Sequence, residues 1–138
     1  MSRAKSFFRN RQKMLGIAAT AYVVMLILTH WQLPSIHVWL IAAVFSILMN
    51  FTYLIEAVSL KTYAKTEALV AAFLISASIM GLVSSPIFLI FAIFGHGIWD
   101  LLKHFGRGVP FYFWYTCSCF LVDTVYSSTL LFYFFHRT

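Results

Sequence analysis

The chain has 138 residues, 62% of them hydrophobic and only 10% charged, with a net charge of +6 and a mean hydropathy of +0.86. Soluble domains run at about 45–50% apolar and roughly 25% charged. A water-soluble globule of this size is therefore excluded, as is intrinsic disorder, and a single membrane domain is what composition leaves.

A helix crosses the hydrocarbon with about 17–25 apolar residues. Five runs meet this length: 14–33, 37–58, 67–83, 87–105 and 111–135, preceded by a basic segment, 1–13. Breakers separate most of them: Pro34-Ser35, Ser84-Ser85-Pro86, and Gly106-Arg107-Gly108-Val109-Pro110. Links this short force consecutive helices to pack antiparallel. The fold class expected is an all-α membrane protein, a five-helix antiparallel bundle.

The basic residues orient it. Arg3, Lys5, Arg9, Arg11 and Lys13 precede the first run, Lys61 and Lys65 follow the second, and Lys103 and Arg107 close the fourth. With a cytoplasmic N-terminus, nine of the ten Lys and Arg residues fall inside and only Arg137 outside, so the C-terminus is expected outside and the location is the inner membrane, multi-pass. The positive charge reads as anchoring to anionic inner-leaflet lipids through the basic N-terminus. Nucleic acid is not an expected partner, because the cations sit where topology alone puts them. Ala19-Thr20-Ala21 resembles a cleavage site, but too short an apolar run precedes it, and an uncleaved first span is expected.

Aromatic clusters at 111–115 and 132–135 bracket the fifth run at about one hydrocarbon thickness, as interfacial belts do, and Trp31 and Trp39 flank the Pro34 link. Ala68, Ala72 and Ser76, and likewise Ala77 and Gly81, repeat at four and suit close helix approach in the third run. Cys117 and Cys119 point about 200° apart on a helix, too divergent to bridge, and read as small apolar fillers.

The chain has four acids: Glu56, Glu67, Asp100 and Asp123. Glu67 reads as a helix-start residue at the cytoplasmic surface, and Glu56 as an interfacial residue reaching water or Lys61. Asp123 is the midpoint of the fifth run, where a carboxylate costs on the order of 3 kcal/mol and must face the bundle interior. On the fourth run, His96, Asp100, Lys103 and Arg107 form one stripe, with His104 just beyond its edge. Asn50, Tyr53 and Glu56 make a polar face on the second run, and Thr116, Asp123 and Ser127 one on the fifth. These stripes are expected to converge on one cavity in the cytoplasmic half. Depth along each helix pairs His96 with Asp123 and Asp100 with Tyr53. Gly95 and Gly97 leave space beside the His96 ring, for a ligand or for a neighbouring helix.

Around His96-Gly97-Ile98-Trp99-Asp100 and Cys119-Phe120-Leu121-Val122-Asp123, the chain resembles a group of small bacterial integral-membrane proteins of unknown function that carry an H-x-x-W-D segment. The likeness covers residues 96–123. It implies that His96, Trp99, Asp100 and Asp123 belong together, and it brings no activity with it.

The function expected is a binding or acid–base site for a small apolar or lipidic ligand. His96, Asp100 and Asp123 are its candidate catalytic groups, and Asn50, Tyr53, Glu56, Trp99, His104 and Ser127 its candidate ligand contacts. One metal ion cannot take both His96 and His104, about 12 Å apart along the helix. A metal site would combine Asp100 with one histidine and Glu56 or Asp123, but no paired H-x-x-x-H spacing supports it, so no metal is assigned. The alternative is a small subunit of a larger membrane complex, with the polar residues as interhelical glue. A proton- or ion-coupled transporter, acting as a homo-oligomer, ranks third.

Overall fold

The computed structural model describes residues 12–61, 63–105 and 113–137. They form five α-helices: α1 Gln12–His30, α2 Ser35–Leu60, α3 Ala64–Val83, α4 Pro86–Leu102 and α5 Phe113–Arg137, with a 3₁₀ turn at Lys103–Phe105. No strand occurs among the described residues. Helix is the expected result of apolar runs in which every backbone polar group is satisfied within its own segment.

The ends of the helices follow local chemistry. Pro34 precedes α2 in an extended conformation, ψ 143°, and α4 opens with Pro86, whose missing N–H and fixed φ suit the first helical turn. α2 stops at Lys61, which takes left-handed backbone angles, φ 54°, and Tyr63 does the same at φ 56° just before α3. α1 ends at His30, three residues earlier than the 14–33 run, because residues 31–33 already turn toward Pro34.

Three helices are long and apolar enough to cross a membrane: Ser35–Ser59, Ala64–Val83 and Thr116–His136. Gly16–His30 and Pro86–Leu102 are shorter apolar helices. α4, with 17 residues, measures about 26 Å, somewhat less than a hydrocarbon core of about 30 Å. α4 is nevertheless the hub, packing against α2, α3 and α5, while α1 lies on α5. The outer surface is apolar on every helix, with Leu28, Leu48, Phe73, Phe91 and Phe135 all exposed. An exterior of this kind is stable against acyl chains and not against water.

Two expectations about faces need correction. Ala68, Ala72 and Ser76 are exposed; the inward stripe of α3 is Glu67, Ala71, Leu74, Ser78 and Gly81, at spacings of four and three. The polar Glu67 and Ser78 set that stripe, since each needs a partner from another helix. Gly81 sits where a Cβ would overlap the backbone of Leu89, so it brings α3 onto α4. The aromatic cluster closing α5 is only partly a belt. Phe132 and Phe135 face outward, but Tyr133 is buried among His30, Trp31 and Trp39. The side chains of the cluster at 111–115 lie outside the described residues.

Candidate functional site

All four carboxylates of the chain are buried: Glu56 is 0% exposed, Glu67 2%, Asp100 0% and Asp123 3%. Burial of ionised groups is costly unless each finds a partner, so the arrangement of those partners defines the site. Glu67 and Glu56 therefore differ from the sequence reading, which placed both at the membrane surface.

The centre is His96. Its Nδ1 lies 3.1 Å from Oδ2 of Asp123 and 3.4 Å from Oδ2 of Asp100, one helical turn along α4. The Asp123 contact is a hydrogen bond; the Asp100 contact is close without being one. Oδ1 of Asp100 accepts the hydroxyl proton of Tyr53, whose ring stacks on the imidazole with centroids 5.7 Å apart and planes 12° apart. Both pairings expected from depth, His96 with Asp123 and Asp100 with Tyr53, are present. Gly97 makes the first possible: a Cβ there would stand 3.0 Å from Cβ of Asp123 and 3.6 Å from its Oδ2. The space beside His96 is thus filled by α5, and Gly95 on the other side faces Leu74 of α3.

A second layer adjoins the first. Lys103 forms an ion pair with Oε1 of Glu67, and Trp99 donates its indole N–H to Oε2 at 3.0 Å. The ammonium also stands 3.9 Å from the centroid of the Tyr53 ring and 4.8 Å from that of Trp99. Tyr53 therefore touches both layers, with its hydroxyl on Asp100 and its face under Lys103.

Two buried atoms of this cluster, Oδ2 of Asp100 and Nε2 of His96, have no hydrogen-bond partner among the described residues. A cavity of about 110 Å³ adjoins His96 and Asp123. Its walls are Gly16 and Ala19 from α1, Phe45, Met49 and Tyr53 from α2, His96 from α4, and Ser118, Cys119, Val122 and Asp123 from α5. A shallower groove of about 480 Å³ runs along α1 and α5, past Lys13, Ile17, Thr20 and Ala21, and shares Gly16 and Ser118 with the cavity.

Of the candidate ligand contacts among the described residues, Tyr53 alone reaches the cavity wall. Asn50 donates to the Ser46 carbonyl at 2.7 Å and Ser127 to the Thr124 carbonyl at 3.2 Å, the usual local outlet for short polar side chains in a helix. Ser127 borders a separate groove between α4 and α5, beside Ile90, Phe91 and Leu131. Glu56 is enclosed in the bundle away from the cavity wall, and Trp99 serves Glu67. The side chain of His104, and Arg107 altogether, lie outside the described residues. Cys117 and Cys119 are half-buried on α5 and are not bridged to each other.

Three buried polar groupings were not anticipated. Glu67 joins Lys103, a residue whose place on the His96 stripe was already legible. Ser46 and Ser78 share a hydrogen bond of 2.7 Å between α2 and α3. His30 meets the Tyr126 hydroxyl through Nε2 at 2.9 Å, toward the opposite end of the bundle. His30 ends α1, and the packing of Tyr126 and Tyr133 over it encloses the ring. Comparison with known proteins finds no matching family model, no matching curated protein and no matching solved structure.

Proposed function

We propose that this protein is a five-span inner-membrane protein, N-terminus inside, that binds a small lipid-soluble ligand with its polar head against His96 and Asp123. The observation that carries the reading is the composition of the cavity: apolar walls ending on the buried imidazole and the Asp123 carboxylate. Pockets for organic ligands combine a mainly apolar lining with a few convergent polar groups. A volume of about 110 Å³ is below that of an engineered cavity of about 150 Å³ that holds benzene. It suits a head group or one ring rather than a whole lipid. The tail then lies in the groove along α1 and α5, which meets the cavity at Gly16 and Ser118. Orientation rests on the nine cations assigned to one side, and the bacterial setting on the resemblance at residues 96–123.

The test is mass spectrometry of the apolar molecules that co-purify with the protein in detergent. One species near stoichiometric amounts is expected with the wild type and lost in Ala19→Phe, which fills the cavity from α1. Detergent and bulk phospholipid alone, in the same proportions for both proteins, would overturn the reading. The rival reading is a structural subunit whose polar groups are glue, and it is favoured by the number of polar side chains bonded directly between helices. On that reading Asp123→Asn lowers the yield of folded protein and no ligand co-purifies.

A further inference from the structure

Asp100 and Asp123 direct one carboxylate oxygen each at the same imidazole nitrogen, and both side chains are buried. A single N–H serves one of them. The other, Oδ2 of Asp100, is left fully enclosed without a donor. Lys103 supplies no hydrogen bond to that oxygen: its ion pair is with Glu67, and it acts on Asp100 only through space. Ionised together, the two carboxylates would place two negative charges around one imidazole, and burial makes such an excess expensive.

We propose that Nδ1 of His96, Oδ2 of Asp100 and Oδ2 of Asp123 form a three-ligand site for a divalent transition-metal ion, with its remaining position toward the cavity. The geometry is close to what an ion requires. Bonds of about 2.0–2.1 Å in a tetrahedral site place neighbouring ligand atoms about 3.3–3.4 Å apart. Two of the three separations here are 3.1 and 3.4 Å, and ligand atoms of all three residues lie within 4.8 Å of one another. Rotation of the Asp123 carboxylate about its Cβ–Cγ bond is the adjustment left. One nitrogen with two hard oxygens suits Zn²⁺, Mn²⁺ or Fe²⁺ rather than the soft ions that prefer thiolate. Tyr53 provides the outer shell, holding the second oxygen of Asp100 and packing flat on the imidazole. His96 and Asp123 line the cavity, so two of the three ligand residues border the space where a ligand head would enter. The site stands whether or not an organic ligand occupies that space.

The experiment uses the full chain in detergent, without a polyhistidine tag. The protein is treated with chelator, and then Co²⁺ is titrated in and followed by its visible absorption and by elemental analysis. One equivalent of Co²⁺ per chain is expected, displaced by Zn²⁺, with the thermal midpoint of the wild type rising on metal addition and falling with EDTA. Asp100→Asn and Asp123→Asn, nearly isosteric, are expected to lose at least tenfold in affinity; Cys117→Ser and His37→Gln are expected to bind as the wild type does. If an Asn variant fails to fold, the wild-type stoichiometry, absorption and midpoint shift decide on their own. Absence of saturable binding to the wild type, or undiminished binding to a folded Asp123→Asn, would overturn the site and leave a shared proton as the answer to the charge excess. Failure here leaves the co-purification result untouched, so the two proposals fall separately.

Discussion

Replacing Lys103 by Met tests whether the layer beside the His96 cluster is dry. Glu67 and Lys103 are both buried, and the carboxylate holds two donors, the ammonium and the Trp99 indole. Removing the lysine takes the charged partner from Glu67, and losing one partner of a buried ion pair costs about 3–5 kcal/mol. Glu67→Gln is expected to cost less, about 1–3 kcal/mol, because the amide oxygen still accepts from Trp99 and the ammonium keeps the Tyr53 and Trp99 rings, a cation–π contact of about 0.5–2 kcal/mol. The double variant removes both charges and is expected to lie within about 1 kcal/mol of the wild type, since apolar or neutral replacement of a whole buried pair is often nearly free. The coupling energy is then about 3 kcal/mol or more, well above the average of about 0.6 kcal/mol for interhelical polar contacts in a membrane protein. The assay is reversible unfolding in mixed detergent micelles, followed by the helical circular dichroism signal for all four proteins. Single losses below about 0.5 kcal/mol, or losses that simply add, would mean that the charges are solvated and the reasoning is wrong.

Three further outcomes follow from the same packing. Tyr53→Phe keeps the stack on His96 but removes the donor to Asp100, and is expected to cost about 0.6–1.7 kcal/mol in the same unfolding assay; no change would mean that Asp100 does not need it. Gly97→Ala gains about 1 kcal/mol of helix propensity, yet its Cβ meets Cβ of Asp123 at 3.0 Å, so a net loss of about 1–2 kcal/mol is expected, with α5 displaced from α4. A more stable Gly97→Ala would show that the helices do not approach so closely. Lys61→Gly is expected to stabilise the protein by about 1 kcal/mol, because Lys61 holds left-handed backbone angles that glycine adopts freely; unchanged or lowered stability would argue against that turn.

Much of this molecule is readable along the chain, and the limits of that reading are physical. Apolar run length announces helices at all five places, and the prolines and the Lys61 region mark where they stop. Periodicity gathers His96, Asp100 and Lys103 on one face of α4, and depth arithmetic pairs them across to Asp123 and Tyr53. A helical repeat fixes angles around one axis, however, and says nothing about which neighbour that face meets or how near it comes. The small-residue spacing picked Ala68, Ala72 and Ser76 on α3, whereas the need to satisfy Glu67 and Ser78 turns the adjacent face, with Ala71 and Gly81, inward. The sequence could not tell surface acids from buried ones at Glu56 and Glu67, where a turn of helix separates water from the bundle interior. Nor could it show that two carboxylates share one imidazole nitrogen. That meeting depends on α5 closing onto Gly97, a distance set by packing between helices and written into no single one of them.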